Sequence, residues 1–219
     1  MSHSRAETAH AGTLRKEILM RPPHETAHPI NYLLRQRWSP RAFADKRVEP
    51  EKLRSMLEAA RWAPSSFNAQ PWNFLVATKD DPADYQRMLG CLVEFNQNWA
   101  RSAPVLIITV ATSAFTHNGK PNRHSFYDTG AAAAMMSVEA TALGLHVHQM
   151  AGFEPEKVRE AYNVPASAEP ASAIAVGYLG DPATLSDDLR KKEEAPGQRK
   201  PLAEFVFARG WGSKPDWLK

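Results

Sequence analysis

The ten residues Ala63-Pro64-Ser65-Ser66-Phe67-Asn68-Ala69-Gln70-Pro71-Trp72 carry two prolines, two serines, an amide pair and two aromatics. They stand between a segment patterned as a helix and one patterned as a strand. Ser65, Ser66, Asn68 and Gln70 supply both hydrogen-bond donors and acceptors. Pro64 and Pro71 restrict the backbone on each flank. A loop of this composition suits a flat, polar ligand, such as a heteroaromatic ring with carbonyls and ring nitrogens. It equally fits a well-capped connection whose Trp72 enters the core.

Upstream, Glu49 to Trp62 reads as an amphipathic helix with Pro50 at its start. Leu53, Met56, Leu57 and Ala60 recur at helical spacing, and Pro64 ends it. Pro29 to Arg37 reads as a shorter helix stopped by Pro40. Downstream, Asn73 to Thr78 reads as a buried strand, Pro82 to Gly90 as a helix, and Pro104 to Ala111 as the strongest strand, a β-branched run. Thr112 to Arg123 is a loop long enough for a lid or an interface arm. Asp128 to Leu143 is a helix with Asp128 as its cap and Gly144 as its terminator. It is apolar nearly all round, so burial on most sides is expected, with part of it shared across a dimer interface.

Leu145 to Gln149 and Ala171 to Leu179 read as strands, and Pro155 to Tyr162 as a helix. Leu185 to Gln198 is charged and expected to be exposed. Pro201 to Phe207 reads as a last strand. The tail Gly210 to Lys219 holds two tryptophans and is expected to pack on something, such as a second subunit. Strands and helices alternate without regular βαβ units, which points to an α+β fold with a mixed sheet.

The chain has 219 residues, 43% hydrophobic and 23% charged, as in an ordinary soluble globular protein. Residues 1–28 read as an N-terminal extension, with a helical turn around Leu14 to Met20, and 29–219 as a single domain. A net charge of +3 suits a small anionic ligand but lacks the concentrated basic patch of a nucleic-acid binder. No run of eighteen apolar residues suggests a membrane span. A single cysteine, Cys91, excludes an intramolecular disulfide and points to a reducing, cytoplasmic setting. His146 and His148 alternate as on a strand, but no third ligand lies at metal spacing, so no metal is expected.

Chemistry is expected from four segments. Arg37, Ser39 and Arg41, fixed by Pro40, fit either a phosphate clamp or a solvated basic turn. The loop from Pro64 to Trp72 is the second. Gln149-Met150-Ala151-Gly152 is a strand end followed by a glycine, where backbone amides can approach a ligand. Arg199, in Gln198-Arg199-Lys200-Pro201, can add a further cation. No glycine-rich phosphate loop is present, so arginines and backbone amides must hold any phosphate.

Together these segments resemble the nitroreductase family of FMN-dependent NAD(P)H oxidoreductases. The resemblance runs from about Pro29 to about Phe207. It is carried by Arg37-Trp38-Ser39-Pro40-Arg41, by Ala60 to Trp72, by Gly144-Leu145 followed by Gly152-Phe153, and by Arg199-Lys200-Pro201-Leu202. It implies a mixed central sheet flanked by helices, in an intertwined homodimer with FMN at the subunit interface and the C-terminal extension packed on the partner. It implies that Arg37, Ser39, Arg41 and Arg199 bind the FMN phosphate, with Trp38 contributing backbone, and that Asn68 meets the flavin edge. Pro64, Ser65 and Ser66 would face the neighbouring subunit's flavin. Gln149, Met150, Ala151 and Gly152 would line the ring near N5.

No side-chain catalyst is implied, because the flavin carries the chemistry. NAD(P)H would be the co-substrate, and a nitroaromatic, quinone or enone the acceptor, in a ping-pong cycle. Reductive dehalogenation, flavin fragmentation and non-catalytic flavin binding are the alternatives on the same fold. Ala151 and Gly197 depart from the family pattern, where several members carry an acidic residue and a lysine respectively.

Overall fold

Val105–Thr112 (β2) forms the middle of the molecule, and seven of its eight residues are buried. In the computed structural model, which describes residues 23–218, β2 pairs on one side with Trp72–Thr78 (β1) and on the other with Ala168–Gly177 (β4). His146–Met150 (β3) closes the other edge, giving the order β1-β2-β4-β3. Every described pairing is antiparallel, which corrects the expectation of a mixed sheet; the α+β class stands. The register between β2 and β4 shifts at Thr109/Val110, next to Pro170. A proline lacks the ladder donor, and a bulge accommodates that loss.

Alternation along β2 sends its side chains to two cores. Leu106, Ile108 and Val110 face a cluster with Met88, Leu89, Trp99 and Val158. That layer holds Pro82–Gly90 (α3), Glu94–Ala100 (α4) and Pro155–Tyr162 (α6). Val105 and Ile107 face Met56, Ala60, Ala132, Met136 and Ala140. These come from Pro50–Arg61 (α2) and Ser125–Ala142 (α5), which pack on each other. The sheet is therefore covered on both faces, as its unbroken apolar run requires. Lys52 ties the second layer together, its Nζ donating to the Leu143 carbonyl at 2.9 Å and the Tyr178 hydroxyl at 2.8 Å. Gly144, at φ 75°, ends α5 in the left-handed conformation that favours glycine.

Several expectations need correction. The long helix begins at Ser125, so Asp128 lies inside its first turn rather than capping it. There its buried carboxylate accepts the Ser66 N–H at 3.0 Å, tying the loop after α2 to the helix. Leu185 to Gln198 contains the helix Asp187–Glu194 (α7), which buries Leu189 and Glu193 rather than lying wholly in solvent. Pro201 to Phe207 is no strand: Leu202–Glu204 forms a single 3₁₀ turn, closed by local bonds such as Glu204 N–H to the Pro201 carbonyl. Helix α4 has no counterpart in the periodicity, because its buried face is made of Asn96, Trp99 and Ala100. Trp211 and Trp217 are exposed in the single chain. The expected turn at Leu14–Met20 lies outside the described residues.

Candidate functional site

The short helix Tyr32–Gln36 (α1) starts at Asn31, whose side chain accepts the Leu33 N–H at 2.9 Å. It ends because Arg37 is already extended and Pro40 bars a further helical turn. The chain from Arg37 to Arg41 then crosses beside β3 and under α7. It lines a cavity of about 240 Å³ with Lys192, Glu193 and Arg199. Arg37, Trp38, Ser39 and Arg41 all face it, so the structure brings together the first and fourth segments singled out in the sequence.

The cavity is short of negative charge. Arg37 donates to the Ser39 hydroxyl at 3.3 Å. Burial, and after it the Arg199 charge, pull the Arg37 guanidinium below its ordinary range. Two cations pressed together in this way are relieved by an anion. Arg41 Nη1 lies 3.9 Å from Glu193, but Arg41 Nε is buried with no hydrogen-bond partner among the described residues. A buried unpaired guanidinium donor is costly, and an oxyanion would satisfy it. Four cations around one carboxylate suit a phosphate monoester. Arg199 is exposed at the rim, its Nη1 bonding the Gln198 carbonyl at 2.7 Å.

Lys192 and Glu193 were not among the expected site residues. The one sequence signal for Glu193 is its position four residues after Leu189, which places both on the buried face of α7. Gly197 also lines the cavity, as does Lys192. A second cavity of about 590 Å³, lined by Leu179, Pro182, Glu25 and Glu194, shares Trp38 and Glu193 with the first.

The other expected residues fall elsewhere. Pro64 and Asn68 are exposed, Ser65 and Ser66 half-buried, and none of them lines either cavity. Ser65 Oγ accepts the Gln70 N–H at 3.0 Å. Phe67, Asn68 and Gln70 all have positive φ, at 53°, 53° and 46°. Three non-glycine residues in this region within four positions store strain, and such strain concentrates at ligand-binding loops. Phe67 is 83% exposed and meets Phe115 edge-on at 5.7 Å.

On β3, Gln149 is exposed and its amide reaches Ser137 Oγ at 3.3 Å. Met150 is buried in the core, so only its backbone is available to a ligand. Ala151 is exposed beside it. Gly152 has a packing reason to be glycine: a Cβ there would lie 2.4 Å from Asn96 Nδ2, which itself donates to the Gly152 carbonyl at 2.9 Å.

Two histidines of β3 meet the turn from Arg37 to Arg41. His146 meets the Trp38 ring edge-on at 6.0 Å. His148 Nδ1 lies 2.8 Å from the Pro40 carbonyl, and its ring is 4.6 Å from that of Trp99. Burial, with the nearby arginine charge, pushes both down to about 4. Hydrogen bonds to the Pro40 and Ser39 carbonyls oppose this at His148 without overcoming it.

Comparison with known proteins places the chain. A solved structure described as an oxidoreductase containing FMN superposes with a TM-score of 0.83 at 34% identity, covering 90% of this chain and all of that one. A Stenotrophomonas maltophilia protein named as an NADH dehydrogenase/NAD(P)H nitroreductase is 27% identical over 177 residues, 73% of this chain and 89% of that protein. Iodotyrosine deiodinase 1 of Sus scrofa is 27% identical over 186 residues, 73% of this chain and 64% of its own length. The sequence model of the nitroreductase family matches residues 34–178, most of the chain, and the chain belongs to that family.

Proposed function

We propose that this protein is an FMN-dependent oxidoreductase that draws reducing equivalents from NAD(P)H and passes them to a nitroaromatic, quinone or enone. Family membership and the FMN-containing relative support the cofactor. The observation that carries the reading is the cavity where Arg37, Arg41, Lys192 and Arg199 converge and where Arg41 Nε is buried without a partner. A flavin phosphate supplies the oxygens this site lacks.

When bound, FMN supplies hydride acceptance and electron storage, which no side chain here provides. The protein binds and orients. Arg37 and Arg41 hold the phosphate from the turn after α1, and Arg199 closes over it from the C-terminal segment. Asn68 meets the ring edge, and the partner's Pro64, Ser65 and Ser66 form the facing wall. Gln149, the Met150 backbone, Ala151 and Gly152 line the ring at the end of β3. The oxidised nicotinamide leaves before the acceptor enters the same space, which gives ping-pong kinetics.

A second copy of the chain completes the site. The exposed apolar residues Ile30, Leu34, Phe126, Tyr127 and Met135 support this. Ile30 precedes α1 and Leu34 lies on it; the other three lie on α5, against which α1 packs.

Replacing Arg37 or Arg41 by Ala removes a charge-assisted contact worth about 1.5–3 kcal/mol, or roughly 10- to 150-fold in FMN affinity. Flavin content of the purified variants and FMN titration of the apoproteins check this. Full occupancy in both would refute the assignment. Likeness to the deiodinase supports reductive dehalogenation as a second reading. Anaerobic iodide release from iodotyrosine with dithionite supplying the two electrons and water the proton that replaces iodine, without NAD(P)H-driven quinone or nitro reduction, would select it.

A further inference from the structure

The peptide unit joining Pro40 to Arg41 is gripped at both ends. Its carbonyl lies 2.8 Å from His148 Nδ1 on β3. A carbonyl only accepts, so Nδ1 carries the hydrogen and the tautomer is fixed. Its N–H donates to Glu193 Oε1 at 2.8 Å and Oε2 at 3.0 Å on α7. The next N–H, of Ala42, donates to the same Oε1 at 3.1 Å. One peptide plane is thus held between the sheet edge and a helix 152 residues further along the chain.

Its orientation decides where the Arg41 side chain goes. The guanidinium carbon stands 6.0 Å from the centre of the Trp99 ring, against which His148 also packs. Glu193 gives its short contacts to backbone N–H groups and stands 3.9 Å from Arg41 Nη1, so the guanidinium keeps donors for a ligand. Burial keeps the His148 imidazole neutral at ordinary pH, and a neutral donor adds no charge beneath the clamp.

We infer that His148 and Glu193 are positioning residues: together they set the Pro40–Arg41 peptide plane and so aim Arg41 at the phosphate of the bound flavin. The inference rests on the assignment of this cavity to the FMN phosphate. It gives Glu193 a role opposite to its charge. A carboxylate beside a phosphate repels it, yet here the anion organises the cation that binds it.

The test compares FMN with riboflavin, which has the same ring and ribityl chain but no phosphate. Full-length apoprotein is titrated with each, and the ratio of the two affinities isolates the phosphate contribution. Wild type is expected to prefer FMN by at least about a hundredfold, from two or more charge-assisted contacts. His148→Phe keeps an aromatic ring against Trp99 but removes the donor. It is expected to lower the preference about tenfold with riboflavin affinity unchanged, and His148→Asn, which keeps a donor, is expected to restore most of it. Glu193→Gln separates positioning from charge. Loss of FMN preference supports positioning, whereas a gain shows that the carboxylate acts only by repulsion and overturns its assignment. If His148→Phe does not fold, Glu193→Gln and His148→Leu, which also removes the donor, carry the same comparison.

Wild-type preference retained in all folded variants overturns the inference and leaves the phosphate assignment standing. Equal loss of both flavins assigns these residues to general stability and overturns it too. Equal wild-type affinity for FMN and riboflavin refutes the phosphate assignment itself, and the inference with it.

Discussion

His146 and His148 hold the turn from Arg37 to Arg41 from the side of β3. Both are held at about 4, against an ordinary value of 6.5, by burial first and then by the arginines of the clamp. The sign follows from proton counting. Between about pH 6.5 and 4 the unfolded chain binds protons that the folded chain refuses. Stability is therefore flat above about 6.5 and falls as the pH is lowered towards 4, by up to about 1.4 kcal/mol per pH unit for each histidine. Urea unfolding at several pH values measures this slope. Replacing both histidines by apolar residues should flatten the part of the slope that they contribute. An unchanged slope would show that neither is held neutral in the folded state. The grouping of Arg37, Ser39 and Arg41 was legible in the sequence because the three lie within five positions around one proline. Glu193 was not, because it sits in a run of charges where only its spacing from Leu189 marks it as buried.

At the scale of elements, proline gave the sharpest punctuation. Helices α3 and α6 span Pro82–Gly90 and Pro155–Tyr162, as read from the sequence, each with proline in its first turn. The β-branched run was placed within a residue of β2. What the sequence hid was tertiary. Helix α4 buries an asparagine through bonds to Gly152 and Trp99, and no apolar period announces that. Asp128 looks like a cap but serves the loop at Ser66. Pro201 to Phe207 has strand composition, but no described strand pairs with it. The central helix α5 carries a prediction of its own. Met136 is fully buried between the sheet and α2. Met136→Ala should cost about 2–5 kcal/mol, depending on how far the cavity collapses. Chemical denaturation measures the loss. A change below about 1 kcal/mol would contradict the packing of α5 as the inner layer.

Among the described residues, large apolar side chains are left exposed. Met135, Phe126 and Tyr127 on α5, with Leu34 on α1, are exposed in the single chain, as are Trp211 and Trp217 in the tail. Patches of this kind mark interfaces. The chain is therefore expected to sediment as a dimer, with Tyr127→Asp combined with Met135→Asp weakening both association and flavin retention. A stable, active, flavin-loaded monomer would contradict the shared site. The family was readable from four short segments, and the α+β class from the alternation of helices and strands. The antiparallel sheet and the bonds from Glu193 on α7 to the Arg41 and Ala42 N–H groups required the structure.

The cation-lined cavity is proposed to serve an FMN that NAD(P)H reduces. Anaerobic titration of the purified protein with NADH and NADPH, followed by visible absorbance, tests it most directly. The expected result is a yellow protein whose flavin band bleaches with one equivalent of reduced nicotinamide per site and returns when a quinone or nitroaromatic is added. A colourless protein that binds no added FMN, or a flavin band that only a chemical reductant can bleach, would contradict it.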